Sequence, residues 1–205
     1  MPVPIRSRSA PAQRCGALLA AALAAALGGC VSFGAKPPAS LMTLDATASP
    51  AVGSGGAITP GSTVTVAIPA FPQELATARV PVHTGSSVTY VKDAAWIDVP
   101  ARLFRNLLAE TITARTGRAT LDARDYHLAP GTRLGGRLQA FGLDATAMAA
   151  VVTYDAMLEN DGKPLQKRRF EARASVGSVS PASARMALNQ AANQVAAEVA
   201  DWVGR

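Results

Sequence analysis

Residues 132–176, TRLGGRLQAFGLDATAMAAVVTYDAMLENDGKPLQKRRFEARASV, decide the fold. Three β-rich runs stand in this stretch, at about Thr132 to Leu143, Thr146 to Glu159 and Leu165 to Val176. Asn160-Asp161-Gly162 divides the last two. That triplet is a hairpin signal, because glycine takes the positive φ of a tight turn without a Cβ penalty. The first two runs meet across Leu143-Asp144-Ala145. Connections this short join antiparallel neighbours, since a parallel crossover needs about a dozen residues or more. Met148 to Leu158 is apolar but interrupted by Asp155. It is also well short of the roughly 20 residues a membrane helix requires, so it reads as a strand.

Working outward, the chain closes with Ser180 as N-cap and Pro181 at the first helical position. Leu188, Ala191, Val195, Val199 and Trp202 then recur on one helical stripe. Upstream, Thr63 to Ile68 alternates Val64, Val66 and Ile68, the period of a half-buried strand, and Pro69 and Pro72 end it. Val80 to Val82 and Ser87 to Val91 read as two further strands joined through Thr84-Gly85-Ser86. Asp98 offers an N-cap and Pro100 fits the first turn of the next helix. Its stripe is Val99, Leu103, Phe104, Leu107, Leu108, Thr111 and Ile112, and Gly117 stops it. Strands, helix, meander and helix in this order predict an α+β fold, a largely antiparallel sheet covered by two amphipathic helices. Residues 62–205 suffice for a single domain with its own core.

The N-terminal part has a different composition. Val31 to about Gly61 is rich in Gly, Ala, Pro, Ser and Thr, with Pro37, Pro38, Pro50 and Pro60, and reads as a tether. Ser40 to Asp45 is expected to form a short strand if the domain offers it an edge. Ahead of the tether, Arg6, Arg8 and Arg14 precede an apolar run, Gly16 to Leu27, with no acidic residue before Asp45. Leu27-Gly28-Gly29-Cys30 follows. A basic start, a short apolar run and small residues at a cleavage point are the parts of a secretory signal. The last four residues match a lipobox, in which the Cys30 thiol takes a diacylglycerol and cleavage falls between Gly29 and Cys30.

The expected divisions are therefore a signal peptide over 1–29, a lipidated tether over 30–61 and a domain over 62–205. The only other cysteine, Cys15, leaves with the signal, so the mature chain has no thiol for catalysis, a disulfide or a cysteine metal site. Loss of three arginines takes the formal net charge from +6 to +3, an ordinary balance that gives no reason to expect nucleic acid. Val31 rather than Asp follows Cys30, which favours the periplasmic face of the outer membrane by analogy with bacterial sorting rules.

The mature chain resembles the ABC-type transport auxiliary lipoproteins, the family of PqiC/YmbA-like components of MCE lipid-transport systems. The resemblance rests on a strand ending in Val66-Ala67-Ile68-Pro69 and on the extended stretch Ser87-Val88-Thr89-Tyr90. An Ala95-Trp96 step follows, leading into Arg102-Leu103-Phe104-Arg105-Asn106-Leu107-Leu108. Later come Arg137-Leu138-Gln139-Ala140-Phe141 and the Ala-rich final helix. Each piece is short, and the specificity lies in their order. Ala70-Phe71 and Val82-His83 depart from the commoner family residues, so no partner contact is carried over to those positions.

The resemblance implies a non-catalytic component anchored on the outer membrane. Its implied partners are an MCE-domain protein, an ABC transporter and the membrane lipid itself, with self-association into a homo-oligomer possible. It implies no cofactor. Other classes remain open, namely a lipopolysaccharide-assembly or β-barrel-associated lipoprotein and a periplasmic hydrolase.

Enzyme motifs are absent from the sequence. There is no Gly-x-Ser-x-Gly, no His-Glu-x-x-His and no P-loop, so no catalytic residue is named. Asp122, Asp125 and His127 are a conceivable metal cluster, but three mixed ligands without sharp spacing read better as a polar turn, and no metal is expected. His83 stands on a strand without an obvious triad. Gly53, Gly55 and Gly56 lack the strand–helix context of a phosphate loop. Lys167, Arg168 and Arg169 read as a solvated or edge-protecting run, with contact to lipid headgroups or an acidic partner as the sharper alternative. Trp96 and Phe104 read as core.

Overall fold

The computed structural model describes residues 40–55, 58–59, 61–124, 131–160 and 162–205. Within them the chain forms β1 (Val64–Val66), β2 (Arg79–Thr84), β3 (Ser87–Ala95), α1 (Pro100–Thr116), β4 (Thr120–Asp122), β5 (Thr132–Asp144), β6 (Ala149–Glu159), β7 (Gln166–Ser175) and α2 (Pro181–Val203). A short 3-10 turn, Gln73–Leu75, precedes β2. The fold is the expected α+β, one seven-stranded sheet with two helices. Its long pairings, β5 with β6 and β6 with β7, are antiparallel.

β5 organises the sheet. β6 lies along one of its edges for the whole length, from Arg133↔Glu159 to Asp144↔Ala149. The other edge is shared. β1 pairs parallel with its start (Val64↔Thr132), Ala70 bridges to Arg137, and β2 pairs parallel with its end (Val82↔Leu143). The chain therefore runs beside β5 and detours through the 3-10 turn before rejoining it. These parallel pairings were not expected, because periodicity within a strand carries no information about a partner far away in sequence.

β1 differs from its expected half-buried state. It sits between β4 and β5, and Val64, Thr65 and Val66 are all buried, so both of its faces are covered. Ile68, expected on the same apolar face, falls beyond the strand and is 50 % exposed. The Thr65 hydroxyl is buried with no hydrogen-bond partner.

α1 begins one residue later than Asp98 would place it. Val99 occupies the N-cap with Pro100 behind it, and no side chain caps the helix. Asp98 instead accepts the Val99 N–H (2.7 Å) and pairs with Arg102 one turn on (3.0 Å). Gly117 ends the helix in the left-handed region at φ 69°, as its lack of a Cβ allows. α2 follows expectation, with Ser180 accepting the Ser183 N–H and Pro181 in the first turn. The two helices meet at their C-terminal ends, where Arg115 grips Asp201 through bonds of 2.7 and 2.9 Å.

The core lies between helices and sheet. Trp96, Phe141, Phe104 and Tyr154 form a run of edge-on rings, with successive centroids 5.6, 6.4 and 5.3 Å apart. All four are essentially buried, as expected for Trp96 and Phe104. Apolar residues on α1 and α2 close over this cluster and over Leu134, Leu138 and Val152.

Candidate functional site

Gly29 and Cys30, the residues expected at the cleavage and lipidation point, lie outside the described residues, as do Asp125, His127 and Gly56. Asp122 ends β4 and is engaged by cations. Its carboxylate is 3.4 Å from Arg105 and 3.2 Å from Arg124. The Arg124 backbone N–H, and then its side chain and Arg105, hold that carboxyl below the usual carboxylate range. Among the described residues no three His, Cys, Asp or Glu side chains gather as metal ligands. His83 stands on β2 as expected, with its Nε2 3.2 Å from a Glu74 carboxylate oxygen. Gly53 and Gly55 lie in irregular chain.

The basic run on β7 separates into three roles. Arg169 binds Asp155 on the neighbouring strand through two bonds of 2.6 and 2.8 Å, and Gln139 on β5 donates to the same carboxylate at 2.8 Å. Arg168 lies over the Phe170 ring at 4.9 Å. Lys167 is exposed. Alongside, Glu171 accepts from Thr153 and from Arg173, which also approaches Asp144. Asp155, Arg169, Glu171, Arg173 and Asp144 thus form a cross-strand ladder of paired charges on the outer face of the sheet.

This ladder predicts a pH dependence. The Arg169 hydrogen bonds, and then Gln139, push the Asp155 carboxyl far below its usual range. A folded-state pKa below the unfolded value, about 3.9, stabilises the fold above that pH and loses the contribution as the pH falls through the folded value. Urea midpoints should therefore drop below about pH 4. In Asp155→Asn the drop should be smaller, the remainder coming from Glu171 and Asp122, whose pKa values are also lowered.

A second constellation fastens the first described segment of the chain. Met42 forms an isolated parallel bridge with Trp96, its N–H bonding to the Ala95 carbonyl (2.8 Å) and its carbonyl accepting from Ile97 (3.0 Å). Beyond it, two asparagines on α2 clasp the chain. Asn189 accepts the Asp45 N–H (2.8 Å) and donates to the Thr43 carbonyl (3.1 Å). Asn193 accepts the Thr47 N–H (2.8 Å) and hydroxyl (3.0 Å) and donates to the Asp45 carbonyl (2.8 Å). An amide side chain supplies donor and acceptor together, which lets it mimic a neighbouring strand.

Sequence reasoning missed these two residues. Their signal is present: asparagine is a poor helix former, and here two stand four apart beside an apolar stripe. Removing the amide in Asn193→Ala leaves α2 intact but frees the Thr47 N–H. We expect its exchange with solvent deuterium to accelerate roughly tenfold or more, the equivalent of about 1.4 kcal/mol.

At the opposite end, Arg118 ties the helix termini to the sheet. Its guanidinium donates to the carbonyls of Ser62, Thr63 and Val203 and to the Thr132 hydroxyl, and partial burial lowers its pKa. A hollow of about 580 Å³ beside it is lined by Ser49, Ser54, Ile58, Thr113 and Ala119 among others. Arg118 is the one ionisable side chain in that lining and is already committed to structural bonds. The hollow thus assembles no acid–base pair.

Two helices lie over one seven-stranded sheet. A sequence model of the ABC-type transport auxiliary lipoprotein component matches residues 43–200, and the chain belongs to that family. Among solved structures it is similar to protein XCC0632 from Xanthomonas campestris, with a TM-score of 0.66 at 17% identity over 80% of this chain and 94% of that one. A crystal structure of an uncharacterized protein gives a TM-score of 0.60 at 18% identity, covering 71% and 95% of the respective chains. The PelC dodecamer from Paraburkholderia phytofirmans is more distant, at TM-score 0.43 and 16% identity over 71% and 91%. No curated protein matches. The match starts at Thr43, within the clasped segment, so the family's domain takes in residues assigned by composition to the tether.

Proposed function

We propose that the chain is an outer-membrane lipoprotein, acylated at Cys30 after cleavage behind Gly29, that serves as a non-catalytic dock on the periplasmic face for an MCE-type lipid-transport system driven by an ABC transporter. The observation that carries this reading is the family match over residues 43–200 coming shortly after Leu27-Gly28-Gly29-Cys30. The physical logic agrees with it. Lipids do not cross an aqueous gap freely, because each exposed CH₂ costs about 0.8 kcal/mol, so a conduit needs a fixed point at its far end. A lipid-anchored domain supplies that point by raising its own local concentration at the membrane. No helix of the described residues is long and apolar enough to cross a membrane.

The test is a mild-detergent pull-down of tagged protein with Cys30→Ala beside it, partners being identified by mass spectrometry. Cys30→Ala is expected to lose the membrane fraction and most of its co-purifying MCE-domain protein. Recovery of a β-barrel instead would favour a role in lipopolysaccharide or barrel assembly. An unchanged membrane fraction in Cys30→Ala would remove the anchor.

A further inference from the structure

Exposed apolar side chains gather where the anchor-side segment joins the domain. Leu41, Ile97 and Met186 are 52, 59 and 62 % exposed. The backbone brings them together. Leu41 and Ile97 flank the Met42–Trp96 bridge, and Met186 stands one helical turn before Asn189, whose amide holds Thr43. Arg185, next to Met186, is exposed and has no ion-pair partner among the described residues. Single exposed apolar residues are ordinary, but three around one short segment with a free cation beside them make a patch.

The chain's own layout selects the occupant. Leu41 is eleven residues from Cys30, a reach of at most about 40 Å fully extended. An acylated Cys30 therefore keeps this patch within about 40 Å of the bilayer. We propose that Leu41, Ile97, Met186 and Arg185 form a contact with the bilayer that carries the anchor. The three apolar side chains enter the headgroup boundary and Arg185 meets lipid phosphate. This inference rests on acylation of Cys30 and adds to it an orientation. The Asn189 and Asn193 clasp holds residues 43–47 on α2, so Leu41 and Met186 belong to one body, and the proposed contact gives the domain one pose with the outer face of the sheet turned from the membrane.

The experiment uses the mature acylated chain. Its only native cysteine is then blocked, so Met186→Cys or Lys167→Cys introduces a single free thiol for an NBD fluorophore. Each protein is reconstituted in phosphatidylethanolamine–phosphatidylglycerol vesicles with or without doxyl-labelled lipid. Fluorescence from position 186 should be largely lost to the doxyl lipid, while that from position 167, on the outer face of the sheet, stays unchanged. Adding Leu41→Ser and Ile97→Ser, both exposed, should restore much of the signal at 186 without altering the circular dichroism.

Equal quenching at the two positions overturns the proposal. So does a signal at 186 that ignores doxyl lipid but changes with protein density, which would assign the patch to a second copy. Protein that fails to float with vesicles shows that acylation itself is wrong, and the orientation falls with it.

Discussion

Replacing Gly136 by alanine is expected to destabilise the domain by more than about 3 kcal/mol, and the variant should be recovered mainly as insoluble protein. Gly136 sits in β5 opposite Ala156 with φ at 133°, a region that L side chains rarely adopt. A Cβ built there would lie 2.0 Å from the Asp155 carbonyl oxygen and 3.0 Å from its carbon. Both are backbone atoms of the paired strand and cannot swing away. Relief requires either parting β5 from β6 or rotating residue 136, which disturbs the carbonyl that accepts the Ala70 N–H at 2.9 Å. The same turn of chain aligns Gln139, Asp155 and Arg169, so the charge ladder suffers too. Gly135→Ala is the control, because its Cβ would meet only the Ala67 methyl at 4.0 Å. If soluble yield and urea midpoint of Gly136→Ala match those of Gly135→Ala, the close approach of the two strands is not as described.

The second large effect is expected from Phe104→Ala. Phe104 is the contact between α1 and the sheet, touching the Phe141 ring on β5 and the Tyr154 ring on β6. It is fully buried, and around it stand Leu108 and Leu138, equally buried. Truncation removes the apolar transfer energy of the ring and leaves a cavity that packed neighbours fill only partly, at a cost of roughly 3–5 kcal/mol. Thermal unfolding should move down by about 10 °C or more for a domain of this size. Asn106→Ala, two residues along the same helix but exposed, should stay within about 0.5 kcal/mol of the parent. A fall in Asn106→Ala equal to that in Phe104→Ala would mean that the loss is not specific to the buried ring, since alanine is the better helix former at position 106.

Much of the architecture was legible because it is local. The stripes of α1 and α2 repeat at 3.6 residues, Gly117 and Ser180 carry cap chemistry in their own atoms, and the three meander strands are separated by turn residues. Each of these signals acts within a few bonds of the residue that bears it, whereas composition assigned residues 43–47 to a tether although they are fastened to α2 and lie within the family match. Asp98 shows where local reasoning stops. It has cap chemistry, yet its carboxylate serves the Val99 N–H and Arg102, and which of two adjacent residues caps the helix depended on how β3 delivers the chain.

Tertiary structure decided whatever depends on partners distant in sequence. β1 reads as a half-buried strand, but in the fold it is an inner strand covered on both faces, and Thr65 is as buried as the valines beside it. Lys167, Arg168 and Arg169 read as one charge run. Strand pleating and register sent Arg169 to Asp155 and Arg168 to Phe170, and left Lys167 in solvent. Asn189 and Asn193 reveal their purpose only when residues 43–47 lie against them, nearly 150 positions away in sequence. Local chemistry acts over one turn of chain and can be read residue by residue. Pairing across the sheet and the fastening of residues 43–47 arise only when folding brings distant backbone together.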